Sequence, residues 1–176
     1  MSEYVFAYLL LHERKILKRL EGQRAHRWEK TLTGTLRGKT LGLLGVGSIG
    51  CHLAGTAKHF GMTVHGYTRR SEDCPEVDVW SHADLPSFAA GVDHLVCVLP
   101  NTAATRHIVD GSVLRALPAG ALLVNVGRGA TLDESALAEA LKAGRLAGAV
   151  LDVFEEEPLP PDHFLWETPN LFITSH

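Results

Sequence analysis

The chain has 176 residues, 45% hydrophobic and 21% charged, a balance that suits one soluble α/β domain or a piece of a larger protein and excludes a disordered chain. A formal net charge of −3 gives no electrostatic case for nucleic acid or an anionic membrane as partner. Cys51, Cys74 and Cys97 are an odd count without C-x-x-C spacing, so the expectation is no disulfide framework, no zinc knuckle and a reducing cytoplasm.

Residues 2–20, "SEYVFAYLLLHERKILKRL", carry apolar positions at helical spacing and end in a basic run suited to a helix C-terminus. The apolar stretch is too short for a transmembrane helix or a signal peptide. It covers too much of the helix circumference for an independent surface helix, which predicts packing against another domain or subunit. Because the sequence opens directly in this helix, the chain is expected to be an excised fragment.

After the connector "TLTGTLRGKT", strand and helix signals alternate. "TLGLLGV" reads as a buried strand, "SIGCHLAGTAKHF" as a helix stopped by Gly61, and "MTVHGY" as a second strand. Further strands are predicted at "DHLVCVL", "ALLVNVG", "LAGAVLDVF" and "NLFIT". Helices are predicted at "GSVLRAL" and "DESALAEALKAG", the latter capped by Asp133 and ended by Gly144. Apolar strands alternating with helices predict a Rossmann-like, doubly wound parallel sheet with helices on both faces. The ten histidines show no metal-ligand spacing, and no metal site is expected.

"GVGSIG", Gly45 to Gly50, fits G-x-G-x-x-G between the first strand and its helix. Gly45 allows the tight turn, Gly47 lets the backbone approach a pyrophosphate, and Gly50 brings helix close to strand. The free N–H groups of the helix N-terminus complete a dinucleotide site that includes Ser48 and Ile49. An NAD site usually carries an acidic residue about twenty positions on, at the end of the second strand. Thr68 stands there, followed by Arg69 and Arg70. Loss of the carboxylate removes repulsion against a 2′-phosphate, and an arginine can bind that phosphate, which favours NADP(H) and leaves NAD(H) possible. The plainer alternative is two solvated arginines in a loop.

"LLVNVGRGATLDESAL" places Arg128 in a Gly-flanked turn directly after a strand, where residues face the ligand crevice of a doubly wound sheet. There it can grip a carboxylate bidentately beside a carbonyl being reduced. Glu157 in "AVLDVFEEEPLP" and His176 in "NLFITSH" also lie beyond strand ends. A carboxylate paired with imidazole raises its pKa and makes it a proton donor near neutral pH. Chemistry alone does not single Glu157 out of its acidic run.

Taken in order, "SEYVFAYLLLHERK", "LRGKTLGLLGVGSIG", "VLPNTAATRHIV", "LLVNVGRGATLDESAL", "GAVLDVFEEEPLP" and "NLFITSH" resemble the nucleotide-binding domain of the D-isomer-specific 2-hydroxyacid dehydrogenases. The resemblance implies an NAD(P)-dependent oxidoreductase acting on a small 2-keto or 2-hydroxy acid. It gives Arg128 the substrate carboxylate and carbonyl, His176 the proton, and Glu157 the support of that histidine. It also implies cofactor contacts from Leu99, Pro100, Val126 and Asp152, the last to the nicotinamide carboxamide. Ser175 stands where the family usually has proline, and Thr68 with the arginine pair resembles the glyoxylate and hydroxypyruvate reductase branch. The family's second domain, the other wall of the cleft, is absent from residues 1–176, so this stretch is expected to bind cofactor yet turn over poorly. A homodimer through the opening helix and a cytoplasmic location are further implications. An NAD(H)-sensing corepressor-like module is the alternative of a different class; an S-adenosylmethionine-dependent methyltransferase leaves the V-G-R-G and E-E-E-P-L segments without a role.

Overall fold

Leu41, Leu43 and Leu44 are wholly buried in a five-residue strand without a charge. A strand apolar on both faces has to lie inside a sheet that is covered on both sides. The computed structural model, which describes residues 1–28, 30–68, 73–82 and 84–175, has this arrangement. The strands are β1 (Thr40–Leu44), β2 (Thr63–Tyr67), β3 (Val79–Ser81), β4 (His94–Cys97), β5 (Leu122–Asn125), β6 (Gly148–Leu151) and β7 (Leu171–Ile173). They form one parallel sheet in the order β3-β2-β1-β4-β5-β6-β7. The order reverses between β1 and β4, which is the switch point at which such sheets open a crevice.

The helices are α1 (Ser2–Glu13), α2 (Ile16–Arg24), α3 (Ser48–His59), α4 (Leu85–Ala90), α5 (Gly111–Ala116) and α6 (Glu134–Lys142). Alternate strand residues serve opposite faces. Leu41, Leu43, Val96 and Val124 pack with α1 and α3, whereas Leu44, Leu95, Leu123 and Leu151 pack with α4, α5 and α6. Each fully buried leucine contributes on the order of 2 kcal/mol. Asp133 caps α6 by accepting from the Ala136 N–H at 2.9 Å, and Gly61 and Gly144 take the left-handed conformation after α3 and α6. Among the described residues no helix is long and apolar enough to cross a membrane.

The fold differs from the sequence expectation in three places. The helix expected over residues 2–20 is two helices, because Lys15 turns left-handed with φ of 52° between α1 and α2. The edge strand β3 and the short helix α4 were not anticipated, since three and six residues carry too little periodicity. The third difference is covalent: Cys51 of α3 and Cys74, beyond β2, are joined by a disulfide with Cα atoms 5.7 Å apart. The absence of C-x-x-C spacing speaks only of local pairs, and here the parallel return of β2 beside β1 brings distant cysteines together. Closing a loop of this length stabilises the fold by about 3 kcal/mol in the chain-entropy picture.

At the start of β4, His94 is fully buried. Its Nδ1 accepts from the Leu122 N–H at 3.2 Å, so the neutral ring carries its proton on Nε2. That atom lies 3.1 Å from Glu13 Oε1, within ion-pair distance but poorly aligned for a hydrogen bond. Burial outweighs the attraction of Glu13 and pulls the pKa of His94 from 6.5 down to about 4. Between those values the unfolded chain takes up a proton that the folded chain refuses, so this contribution is complete above about pH 6.5 and is lost as the pH falls. Urea midpoints are expected to drop between pH 6.5 and pH 4, by up to about 3 kcal/mol in stability, and His94→Gln is expected to flatten that slope. A parent chain whose midpoint stays level across this window contradicts the assignment.

Candidate functional site

Strand ends align along the carboxyl edge of the sheet. Beyond the strands themselves, Val98 N–H bonds the Leu44 carbonyl, Val126 that of Cys97, Asp152 that of Asn125 and Thr174 that of Leu151, at 2.9 to 3.1 Å. The segments expected to carry function therefore lie side by side.

After β1 the backbone turns at Gly45, whose φ is +93°, and enters α3 with Gly47 as N-cap. A Cβ on Gly50 would lie 2.4 Å from the Gly45 carbonyl oxygen, so only glycine lets the helix approach this closely. Gly47 differs, because a Cβ there would meet nothing within 4 Å. No side chain caps α3, whereas Asp84, Asp110 and Asp133 cap α4, α5 and α6. Unpaired N–H groups behind a glycine with open space in front suit a pyrophosphate. Ser48 and Ile49 are exposed on this first turn.

A cavity of about 410 Å³ opens from the glycine turn and is lined by Gly45, Gly47, Thr68, Leu99 and Pro100, together with Thr105. Thr105 was not anticipated. Its hydroxyl donates to the Pro100 carbonyl at 2.6 Å and accepts from the Thr102 N–H at 2.9 Å, which folds the loop after β4 over the cavity. Arg69 and Arg70 lie outside the described residues.

Arg128 follows β5 and is exposed; its Nη1 donates to the Gly127 carbonyl at 2.7 Å. Close backbone crossings hold the turn. A Cβ on Gly127 would lie 2.7 Å from the Leu99 carbonyl oxygen, and one on Gly129 would lie 1.9 Å from that of Phe154. Beneath it, buried Asn125 accepts from the Gly127 N–H and donates to the Arg128 carbonyl, both at 3.2 Å, while Thr131 Oγ1 donates to the same carbonyl at 2.6 Å. Sequence reasoning missed Asn125, although an amide inside an apolar strand is a signal, since a buried polar group has to find partners.

A second cavity, of about 820 Å³, is lined by Asp152, Phe154, Glu157, Thr174 and Ser175 among others. Glu157 Oε1 accepts from the Phe154 N–H at 2.8 Å, which holds the exposed carboxylate back against the end of β6. Thr174 Oγ1 donates to Asp152 at 2.5 Å and sits 2.5 Å from the Tyr4 hydroxyl of α1. Burial pushes the pKa of Tyr4 up to about 12, so it remains a neutral donor toward Thr174. Neither Tyr4 nor Thr174 was anticipated. Val126 is buried at the end of β5, and Arg128 lines neither cavity. His176, the expected proton donor, follows Ser175 and lies outside the described residues, so its pairing with Glu157 is not described.

The family model for the D-isomer specific 2-hydroxyacid dehydrogenase NAD binding domain matches residues 6–176. The chain belongs to this family. It is 38% identical to a glyoxylate reductase of Aeropyrum pernix over 186 aligned positions, which cover 99% of the chain and 55% of that relative. A D-isomer specific 2-hydroxyacid dehydrogenase family protein from Aeromonas salmonicida superposes with a TM-score of 0.94 at 44% identity, over 99% of the chain and 57% of its own. The NADPH-dependent glyoxylate/hydroxypyruvate reductase of Sinorhizobium meliloti, solved with NADP and sulfate, gives 0.90 at 32%, over 98% and 56%. The chain thus spans about half the length of the dehydrogenases that it matches.

The two glycines of the dinucleotide turn make opposite predictions. Gly47→Ala is expected to leave the melting temperature unchanged and to weaken dinucleotide binding about tenfold or more, some 1.4 kcal/mol, since its Cβ projects into the open space. Gly50→Ala is expected to lower the melting temperature by several degrees, because backbone has to shift. Thermal melts and cofactor titrations on both variants check this, and equal melting temperatures for the two contradict it.

Proposed function

We propose that the chain is the cofactor-binding part of an NADP(H)-preferring reductase of small 2-keto acids, of the glyoxylate or hydroxypyruvate type. The observation that carries the cofactor preference is Thr68 on the cavity wall, in the place where an NAD site presents a carboxylate to the ribose. Arg69 and Arg70 follow directly and supply the positive charge for a 2′-phosphate. The Sinorhizobium meliloti reductase carries NADP on the same fold, which supports this reading.

The bound cofactor supplies a hydride to the carbonyl carbon of the substrate. In this reading Gly47 and the first turn of α3 bind the pyrophosphate, with Ser48, Ile49, Leu99, Pro100 and Val126 forming the surrounding walls. Asp152 orients the nicotinamide carboxamide, and the Tyr4–Thr174 hydroxyl pair holds Asp152. Arg128 binds the substrate carboxylate and polarises the carbonyl. His176 delivers the proton to the carbonyl oxygen, and Glu157 stabilises the charged imidazole. A second domain completes the cleft, so residues 1–176 alone bind cofactor better than they catalyse. A cytoplasmic location accompanies this reading and rests on it alone.

A second copy of the chain is the proposed partner. Ile16, Leu17 and Leu20 of α2 are exposed, and Trp28 and Leu32 just beyond are each 94% exposed, an apolar surface that water alone does not favour. Light scattering at about 20 μM is expected to give the dimer mass, the range in which a stable interface is occupied; Trp28→Glu with Leu20→Glu is expected to give the monomer. A monomeric parent chain overturns the pairing.

Calorimetric titration with NADPH and, separately, NADH tests the cofactor. NADPH is expected to bind at least about tenfold more tightly, and replacing Arg69 and Arg70 by alanine is expected to erase the difference. Equal or tighter NADH binding overturns the preference.

A further inference from the structure

The Cys51–Cys74 disulfide lies outside the chemistry described so far, yet it is attached to both parts of the dinucleotide site. Cys51 follows Gly50 directly on α3, and Cys74 ends the segment that begins at Thr68 after β2. We propose that this pair is a reversible redox-modification site that adjusts dinucleotide affinity, the oxidised form binding more tightly. The effect on the 2′-phosphate end of the cofactor rests on the NADP(H) reading above; the exchange itself does not.

Access and confinement both favour exchange. Cys51 is only half-buried, so an attacking thiolate reaches its sulfur, while Cys74 is buried and becomes the leaving group. The third cysteine, Cys97, is a free thiol buried on β4 in the opposite core cluster, and burial pushes its pKa up. It is therefore a poor competitor for the bond. Glu76 Oε2 lies 3.5 Å from Cys51 Sγ and 3.4 Å from Cys74 Sγ. Disulfide sulfurs have no proton to donate, but in the dithiol either S–H can donate to this carboxylate, so both redox states have a place in the structure.

The exchange partner is a small dithiol. Its thiolate attacks Cys51 Sγ, the Cys51–Cys74 bond breaks, and Cys74 leaves as a thiolate that takes a proton. The second thiol of the reductant then attacks the mixed disulfide and releases Cys51, also protonated. Two electrons and two protons pass to the protein, and the reductant departs as a cyclic disulfide. Reoxidation by a small disulfide is the reverse. The bond ties Cys74, six residues beyond Thr68 in the chain, to the helix that carries the glycine loop. Once it is cut, Thr68 and the glycine loop still line the site, but the covalent link between their flanks is gone, and ordering them on binding costs affinity.

The test uses the chain equilibrated with excess oxidised or reduced dithiothreitol. Alkylation after denaturation, read by mass spectrometry, is expected to count one free thiol in the oxidised chain and three in the reduced one. Fluorescence titration with NADPH is expected to give a dissociation constant about tenfold weaker after reduction, the size of an ordinary coupling between sites. Cys51→Ser and Cys74→Ser are expected to bind like the reduced chain in both buffers. Three alkylatable thiols under oxidising conditions, or the same affinity in both states with the bond verified by mass, overturns the proposal. Since the redox effect is the oxidised-to-reduced ratio for whichever cofactor binds, and the cofactor preference is the NADPH-to-NADH ratio within the oxidised chain, either can fail without the other.

Discussion

Much of this fold depends on backbone touching backbone at the carboxyl edge of the sheet. Gly50 rests on the Gly45 carbonyl, Gly127 on the backbone of Leu99, and Gly129 on the Phe154–Glu155 peptide. Each contact is closer than any Cβ permits, so α3 starts directly against the β1 turn, and the loops after β4, β5 and β6 stack with no side chain at these crossings. Side chains that would otherwise fill the edge are missing, and the space left over becomes the cavity beside Gly47. The same crossings fix the direction of the Arg128 turn, because Gly127 and Gly129 are gripped from opposite sides.

Polar groups buried beneath the edge do the remaining positioning. Asn125 and Thr131 satisfy the turn around Arg128 from inside the sheet, and the Tyr4–Thr174–Asp152 chain ties α1 to the ends of β6 and β7. A buried amide or carboxylate left unpaired costs more than the net value of a hydrogen bond, so these networks are specified tightly. One consequence is that α1 does more than cover the sheet. Its Tyr4 reaches the strand end from which the chain passes to His176, while its own C-terminus leads into the apolar surface of α2.

The elements legible in the sequence were those in which a local pattern and the tertiary environment demand the same residue. β1, β4, β5 and β6 read as apolar runs because both of their faces are covered, whereas β2 and β7, nearer the sheet edges, are only partly buried and showed through shorter strand patterns. The G-x-G-x-x-G turn and the glycines around Arg128 could be read because close backbone approach admits a single residue type. Asp133 and Gly144 marked the two ends of α6 because helix termini have unpaired groups that only a few residues satisfy. β3, with three residues at an edge, was too short to show a period, and the break at Lys15 has no proline or glycine to announce it.

The sequence alone determined the fold class, the location of the dinucleotide turn and the candidacy of Arg128, since each follows from composition or spacing over a short stretch, while Glu157 stood out of its acidic run only through the family resemblance. Tertiary structure decided which residues support them. Cys51 and Cys74, Asn125 and the Arg128 turn, and Tyr4 and Thr174 are related by the packing of α3, β5 and α1 against neighbouring segments. Contacts between residues far apart in the chain leave no periodic signature in a single sequence, because the register of strands and the return of each helix set them.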